Sequence, residues 1–163
     1  MNSVFFALLL VCMLPFAGCA IGIPVPRTHA ADSTPYIIPS ARCAVIRQRL
    51  LAITPPGTPA SQIVAFVSRE LRAHGETDEH AITRATTLWN GPGWIPRPSC
   101  EARGWHYTKV GSKSISVSFE SPSFSLLLGI PVATKNVAQV CYVFNARGEL
   151  LDVGVSTFVN GLS

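Results

Sequence analysis

Three groups of residues in this 163-residue chain have the types and spacing to do chemistry. The first is Cys100 with His106, a thiol and a base close in sequence. Nucleophilic catalysis needs such a pair, a third group to orient the base, and a free thiolate. The second is the run His74, Glu76, Asp78, Glu79 and His80, whose side chains suit zinc. Its histidines are not one helical turn apart, and the run reads as a solvated connection. The third is Thr86 to Tyr107, which gathers Trp89, Trp94, Trp105 and Tyr107 with Arg97 and Arg103 among prolines and glycines. There is no Gly-x-Ser-x-Gly and no phosphate-binding loop. The expectation is a protein with no catalytic residues, no metal ligands and no cofactor.

The cysteines bear on the same point. Val4 to Leu14 is almost wholly apolar, the length of a signal-peptide core and too short to span a bilayer. It leads into Phe16-Ala17-Gly18-Cys19, an arrangement that resembles a bacterial lipobox, in which the cysteine is lipidated and becomes the mature N-terminus. Residues 1–18 are then a signal peptide and Cys19 the lipidation site. An ordinary secretory signal cut after Ala20 or near Ala30 is the alternative. Both place the domain outside the cytoplasm, where disulfides persist. With Cys12 removed and Cys19 lipidated, Cys43, Cys100 and Cys141 remain. One disulfide and one thiol is the natural division, Cys43 with Cys100 or, alternatively, Cys100 with Cys141. A disulfide at Cys100 would forbid its use as a nucleophile.

The elements that must position these groups follow along the chain. Residues 19–39 carry Pro24, Pro26, Pro35 and Pro39 and read as a tether. It would span roughly 25 Å if flexible and up to about 60 Å as polyproline. The domain occupies residues 40–163. Ser40 is an expected N-cap for a helix with Cys43, Ile46, Leu50 and Ile53 on one face. Thr58-Pro59 is an expected cap and first helical residue for a second helix, with Ala60, Ile63, Val64, Val67 and Leu71 as its stripe and Gly75 closing it. Ser114 to Glu120 alternates, with Ile115, Val117 and Phe119 facing the core and the serines facing water. Ser121 to Ala133 reads as a crossover loop. Val137 to Phe144 and Leu150 to Val159 flank Asn145-Ala146-Arg147-Gly148, a hairpin signature. The expected register pairs Phe144 with Glu149, Tyr142 with Leu151, Val140 with Val153 and Ala138 with Val155. A shift by one would bury Cys141 and Val143 instead. The fold class is α+β: two N-terminal helices on one face of a small antiparallel sheet of three to four strands (ααβββ), with the Trp/Pro/Gly-rich segment as an insertion loop.

That order, with Ile53-Thr54-Pro55-Pro56-Gly57-Thr58-Pro59 before a Val-containing helix, Ser112-Lys113-Ser114-Ile115, and the ending Val143-Phe144-Asn145-Ala146-Arg147-Gly148-Glu149-Leu150-Leu151-Asp152-Val153, resembles a group of small bacterial envelope lipoproteins. More distantly it is similar to the two-layer folds of the outer-membrane assembly lipoprotein BamE and the β-lactamase inhibitor BLIP. The resemblance implies a fold and a compartment and carries no catalytic residue. With Ala20 rather than Asp after Cys19, the sorting rule of enteric bacteria implies the outer membrane.

The formal net charge of +4 comes without a Lys/Arg cluster, and charged residues are 13% of the chain, so no nucleic-acid partner is expected. The functional expectation is a non-catalytic, membrane-tethered periplasmic module of the cell envelope. Its lipid on Cys19 meets the membrane, and Trp89, Trp94, Arg97, Arg103, Trp105 and Tyr107 meet a protein partner. A periplasmic inhibitor or immunity-type protein that blocks a toxin or hydrolase is the alternative. The Trp-rich segment is either that binding loop or a lid over the core.

Overall fold

A computed structural model describes residues 36–39, 41–97, 106–127 and 130–160, with the side chains of 97, 106, 124–127 and 130–132 outside the description. All of these belong to the compact unit Asp32–Ser163. Among the described residues three helices come first: α1 (Cys43–Ile53), α2 (Ala60–Ala73) and α3 (Glu79–Ala85). Six strands follow: β1 (Trp89–Asn90), β2 (Gly93–Arg97), β3 (His106–Val110), β4 (Lys113–Leu127), β5 (Ile130–Phe144) and β6 (Leu150–Asn160). The class is α+β. An antiparallel sheet runs in the order β1-β4-β5-β6, and β2 with β3 forms a separate two-stranded ribbon.

The helices cover one face of the sheet because their stripes match its apolar face. Cys43, Ile46 and Leu50 from α1 and Ile63, Phe66, Val67 and Leu71 from α2 pack with Ile115, Val117, Phe119, Val140, Tyr142, Phe144, Val153 and Val155. Ile53, in the last turn of α1, is exposed instead. Tyr36 to Pro39, expected to be free tether, docks here as well. Ile37 is fully buried, and Glu70 accepts from the Tyr36 backbone N–H at 2.9 Å. Burying that one side chain stabilises by about 1.5–3 kcal/mol, which a four-residue stretch without a period does not advertise.

Helix ends depart from expectation in detail. Arg42, not Ser40, is the residue before α1, and Ser40 lies outside the described residues. Pro59 takes the position before α2, while the Thr58 hydroxyl donates to Pro55 O at 2.6 Å rather than capping. The end of α2 is as expected: Glu76 N donates to Leu71 O and Gly75 N to Arg72 O at 2.9 and 3.0 Å, a Schellman pair. The polar run beyond it is partly α3. Asp78 caps that helix through His80 N at 2.9 Å, and Glu79 takes both oxygens to Arg72 at 2.9 and 3.0 Å. His74 instead faces the Phe119 ring at 5.2 Å.

The hairpin has the expected face and a different register. Tyr142 pairs with Val153, Val140 with Val155 and Ala138 with Thr157. Two one-residue steps account for the difference. The turn runs from Asn145 to Glu149, with Asn145 Oδ1 accepting from Arg147 N and Glu149 N at 2.9 and 3.0 Å, so Phe144 pairs with Leu150. A bulge then adds Leu151, which turns outward and is exposed. Each step alone would flip every following side chain, and together they restore Val153 and Val155 to the core.

Of Ser121 to Ala133, expected as a crossover loop, residues 121–127 and 130–133 continue the strands instead. β4 pairs antiparallel with β5 along their whole lengths, from Lys113 with Phe144 to Leu127 with Ile130. Ser123 and Thr134 hydroxyls meet at 2.7 Å, and Lys135 reaches Glu120 at 2.9 Å. The prolines fit because each lies where the strand has a neighbour on one side only. β1 stops at Ser114, before Pro122, and β6 stops opposite Lys135, before Pro131.

Candidate functional site

The second face of the sheet alternates with the core. It carries Ser114, Ser116 and Ser118 on β4, Gln139, Cys141 and Val143 on β5, and Gly154 and Ser156 on β6. Cross-strand pairing sets these in rows: Ser116 beside Cys141 beside Gly154, and Ser118 beside Gln139 beside Ser156. Neighbouring strands are about 4.8 Å apart, so each row is a short ladder of small or neutral polar groups.

The β2–β3 ribbon lies against this face. Two glycines allow it. A Cβ on Gly93 would stand 2.7 Å from both Cys141 Sγ and Val143 Cγ2, and one on Gly154 would stand 3.0 Å from Trp94 O and Pro96 Cδ. Only bare backbone lets the layers approach this closely. Ribbon side chains alternate in turn. Ile95 points inward and is buried, whereas Trp94, opposite Lys109, and Tyr107, opposite Pro96, are 54% and 48% exposed. Trp89 pairs with Ser114, so it stands on this same side of the sheet, 63% exposed. The segment that lacks any clean period in sequence is thus a lid through Gly93 and Ile95 and an exposed aromatic surface through Trp89, Trp94 and Tyr107.

Beside β2 a cleft of about 500 Å³ opens, walled by Trp94, Pro96 and Tyr107 and floored by Ser116, Gln139, Cys141 and Ser156. Cys141 is a free thiol. Burial pushes it up from the ordinary thiol range, and a backbone hydrogen bond with Trp94 pulls it back in part. A thiol held protonated is not an activated nucleophile. The Cys100–Cys141 pairing left open by the sequence therefore does not occur. Cys43 is disulfide-bonded, and its partner lies outside the described residues.

Cys19, Cys100, Arg103 and Trp105 lie outside the described residues, as do the side chains of Arg97 and His106. The structure brings Trp89, Trp94 and Tyr107 to one side of the sheet. Sequence reasoning missed Gln139, Cys141, Gly154 and Ser156 as cleft floor. A glycine inside a strand is the one available sign of close backbone approach, and Gly154 carries it. Among the described residues no cluster of three His, Cys, Asp or Glu could hold a metal, and no helix is long and apolar enough to cross a membrane. Compared with protein-family models, with curated proteins and with solved structures, the chain matches none.

Proposed function

We propose that this protein is a non-catalytic lipoprotein of the periplasmic side of the bacterial envelope, tethered to the outer membrane through Cys19, that binds a protein partner with the outer face of its β2–β3 ribbon. The apolar run ending in Phe16-Ala17-Gly18-Cys19 supports the anchor. One observation carries the binding surface: in β2, Ile95 is 8% exposed while the adjacent Trp94 is 54% exposed. The fold uses the isoleucine to seat the ribbon and leaves the tryptophan unburied. Trp and Tyr dominate interface energies where they cluster, and a ribbon seated on a sheet is already ordered, which lowers the entropy cost of association. The reading extends to Arg97, Arg103 and Trp105, which belong to the same segment.

In-cell crosslinking from a photoreactive residue at position 89 should capture a discrete partner, and Trp94→Ala with Tyr107→Ala should abolish that capture while the protein stays folded and membrane-associated. Unchanged capture by the double variant would reject the ribbon as the surface. A captured toxin or hydrolase would favour the inhibitor reading over an envelope scaffold.

A further inference from the structure

We infer that the cleft beside β2 is also a small-ligand site, for a short, uncharged saccharide. A volume of about 500 Å³ is in the range of small-molecule sites. Its lining decides the ligand class. The lining residues among those described are uncharged, and they present neutral polar and aromatic groups. The floor offers groups that both donate and accept: the hydroxyls of Ser116 and Ser156 and the amide of Gln139. They sit on three adjacent strands, Gln139 and Ser156 directly opposite one another, at a spacing that suits several hydroxyls on one ring. Trp94 and Tyr107 line the wall, and an aromatic ring carries negative potential on its face, which attracts the C–H face of a sugar ring.

An extended peptide fits less well. Strand addition needs free backbone N–H groups on the open edge of β2. The Trp94 backbone is hydrogen-bonded with Cys141. Pro96, next on that edge, has no N–H. The floor side chains supply hydrogen-bonding groups that do not depend on strand addition. The cleft shares Trp94 and Tyr107 with the proposed partner surface, but its floor residues Ser116 and Gln139 lie on the sheet and can be tested apart from that surface.

The test titrates the full chain with maltose, cellobiose and chitobiose, following tryptophan fluorescence and, by peptide mapping, the alkylation of Cys141 with N-ethylmaleimide. At least one disaccharide should give a saturable fluorescence change and slow alkylation at Cys141 over the same concentration range. Gln139→Leu and Ser116→Ala, both at exposed positions, should keep the wild-type urea midpoint and weaken that saturation by about tenfold, the scale of one lost hydrogen bond. Failure of all three disaccharides to saturate overturns the proposal. So does saturation by a hexaproline peptide alone, or undiminished binding in Gln139→Leu. Gln139→Leu leaves Trp94 and Tyr107 in place, so partner capture should be unaffected by it, and loss of saccharide binding in that variant reports on the cleft floor alone.

Discussion

Arg47 on α1 reaches Asp152 on β6, Nη2 to Oδ1 at 2.7 Å, and its Nε donates at 3.0 Å to the main-chain carbonyl of Val153. β6 is an edge of the sheet, and an edge strand's outward carbonyls are a template for unwanted pairing. One guanidinium ties the first helix to the last strand and occupies that carbonyl. Both side chains are partly exposed, so the ion pair itself contributes little.

Arg47→Ala is therefore expected to cost only about 1 kcal/mol by urea denaturation, but to raise amide exchange along β6 and the tendency to aggregate. A variant with wild-type exchange in β6 would remove the edge-capping role.

Neighbouring residues of β2 should behave oppositely. Ile95→Ala is expected to destabilise by about 2–5 kcal/mol, the cost of a large-to-small change in a packed site. Trp94→Ala should cost no more than about 1 kcal/mol, since its ring is more exposed than buried. Chemical denaturation of both variants checks this, and a larger loss for Trp94→Ala would mean that the ring belongs to the lid.

Gly154→Ala places a methyl group 3.0 Å from Trp94 O and Pro96 Cδ, so the ribbon must lift. A loss of about 1–3 kcal/mol is expected, as for other overpacked sites, with faster alkylation of Cys141 as its cover moves. Equal alkylation rates in variant and wild type would show that the ribbon does not shield the thiol.

Tyr142 sets the alkaline limit of stability. Burial, and secondarily the charge of Glu70, hold its phenol well above the ordinary value of 10.0. Among the described residues its hydroxyl has no hydrogen-bond partner. The folded state thus keeps the proton where the unfolded chain releases it. Stability from this group is complete below pH 10 and falls as pH rises past it, by about 1.4 kcal/mol per pH unit. Tyr142→Phe should flatten that fall and, by removing an unpaired buried hydroxyl, raise stability at neutral pH by about 1 kcal/mol. Identical pH profiles for the two proteins would contradict the assignment.

Cys19→Ala is expected to release the protein from the membrane fraction or arrest its maturation. A wild-type protein that is already soluble and begins near Asp32 would refute the anchor.

Local pattern alone determined α1, α2, the alternating strand around Val117, the hairpin at Asn145-Ala146-Arg147-Gly148, and which face of β5 is buried. These rest on period and turn chemistry, which neighbouring residues specify among themselves. Only the tertiary structure decided the rest. Residues 121–127 and 130–133 became strand because each ran antiparallel beside the other, and their prolines fell where no second neighbour needed an N–H. The register moved because a five-residue turn and a bulge at Leu151 each added one position, steps that no periodicity encodes. Ile37 joined the core because Glu70, far along the chain, holds the backbone next to it. The candidate site belongs wholly to this second class. Its floor comes from alternate residues of three strands and its wall from a ribbon that Gly93 and Gly154 admit, so its members become neighbours only when the layers close.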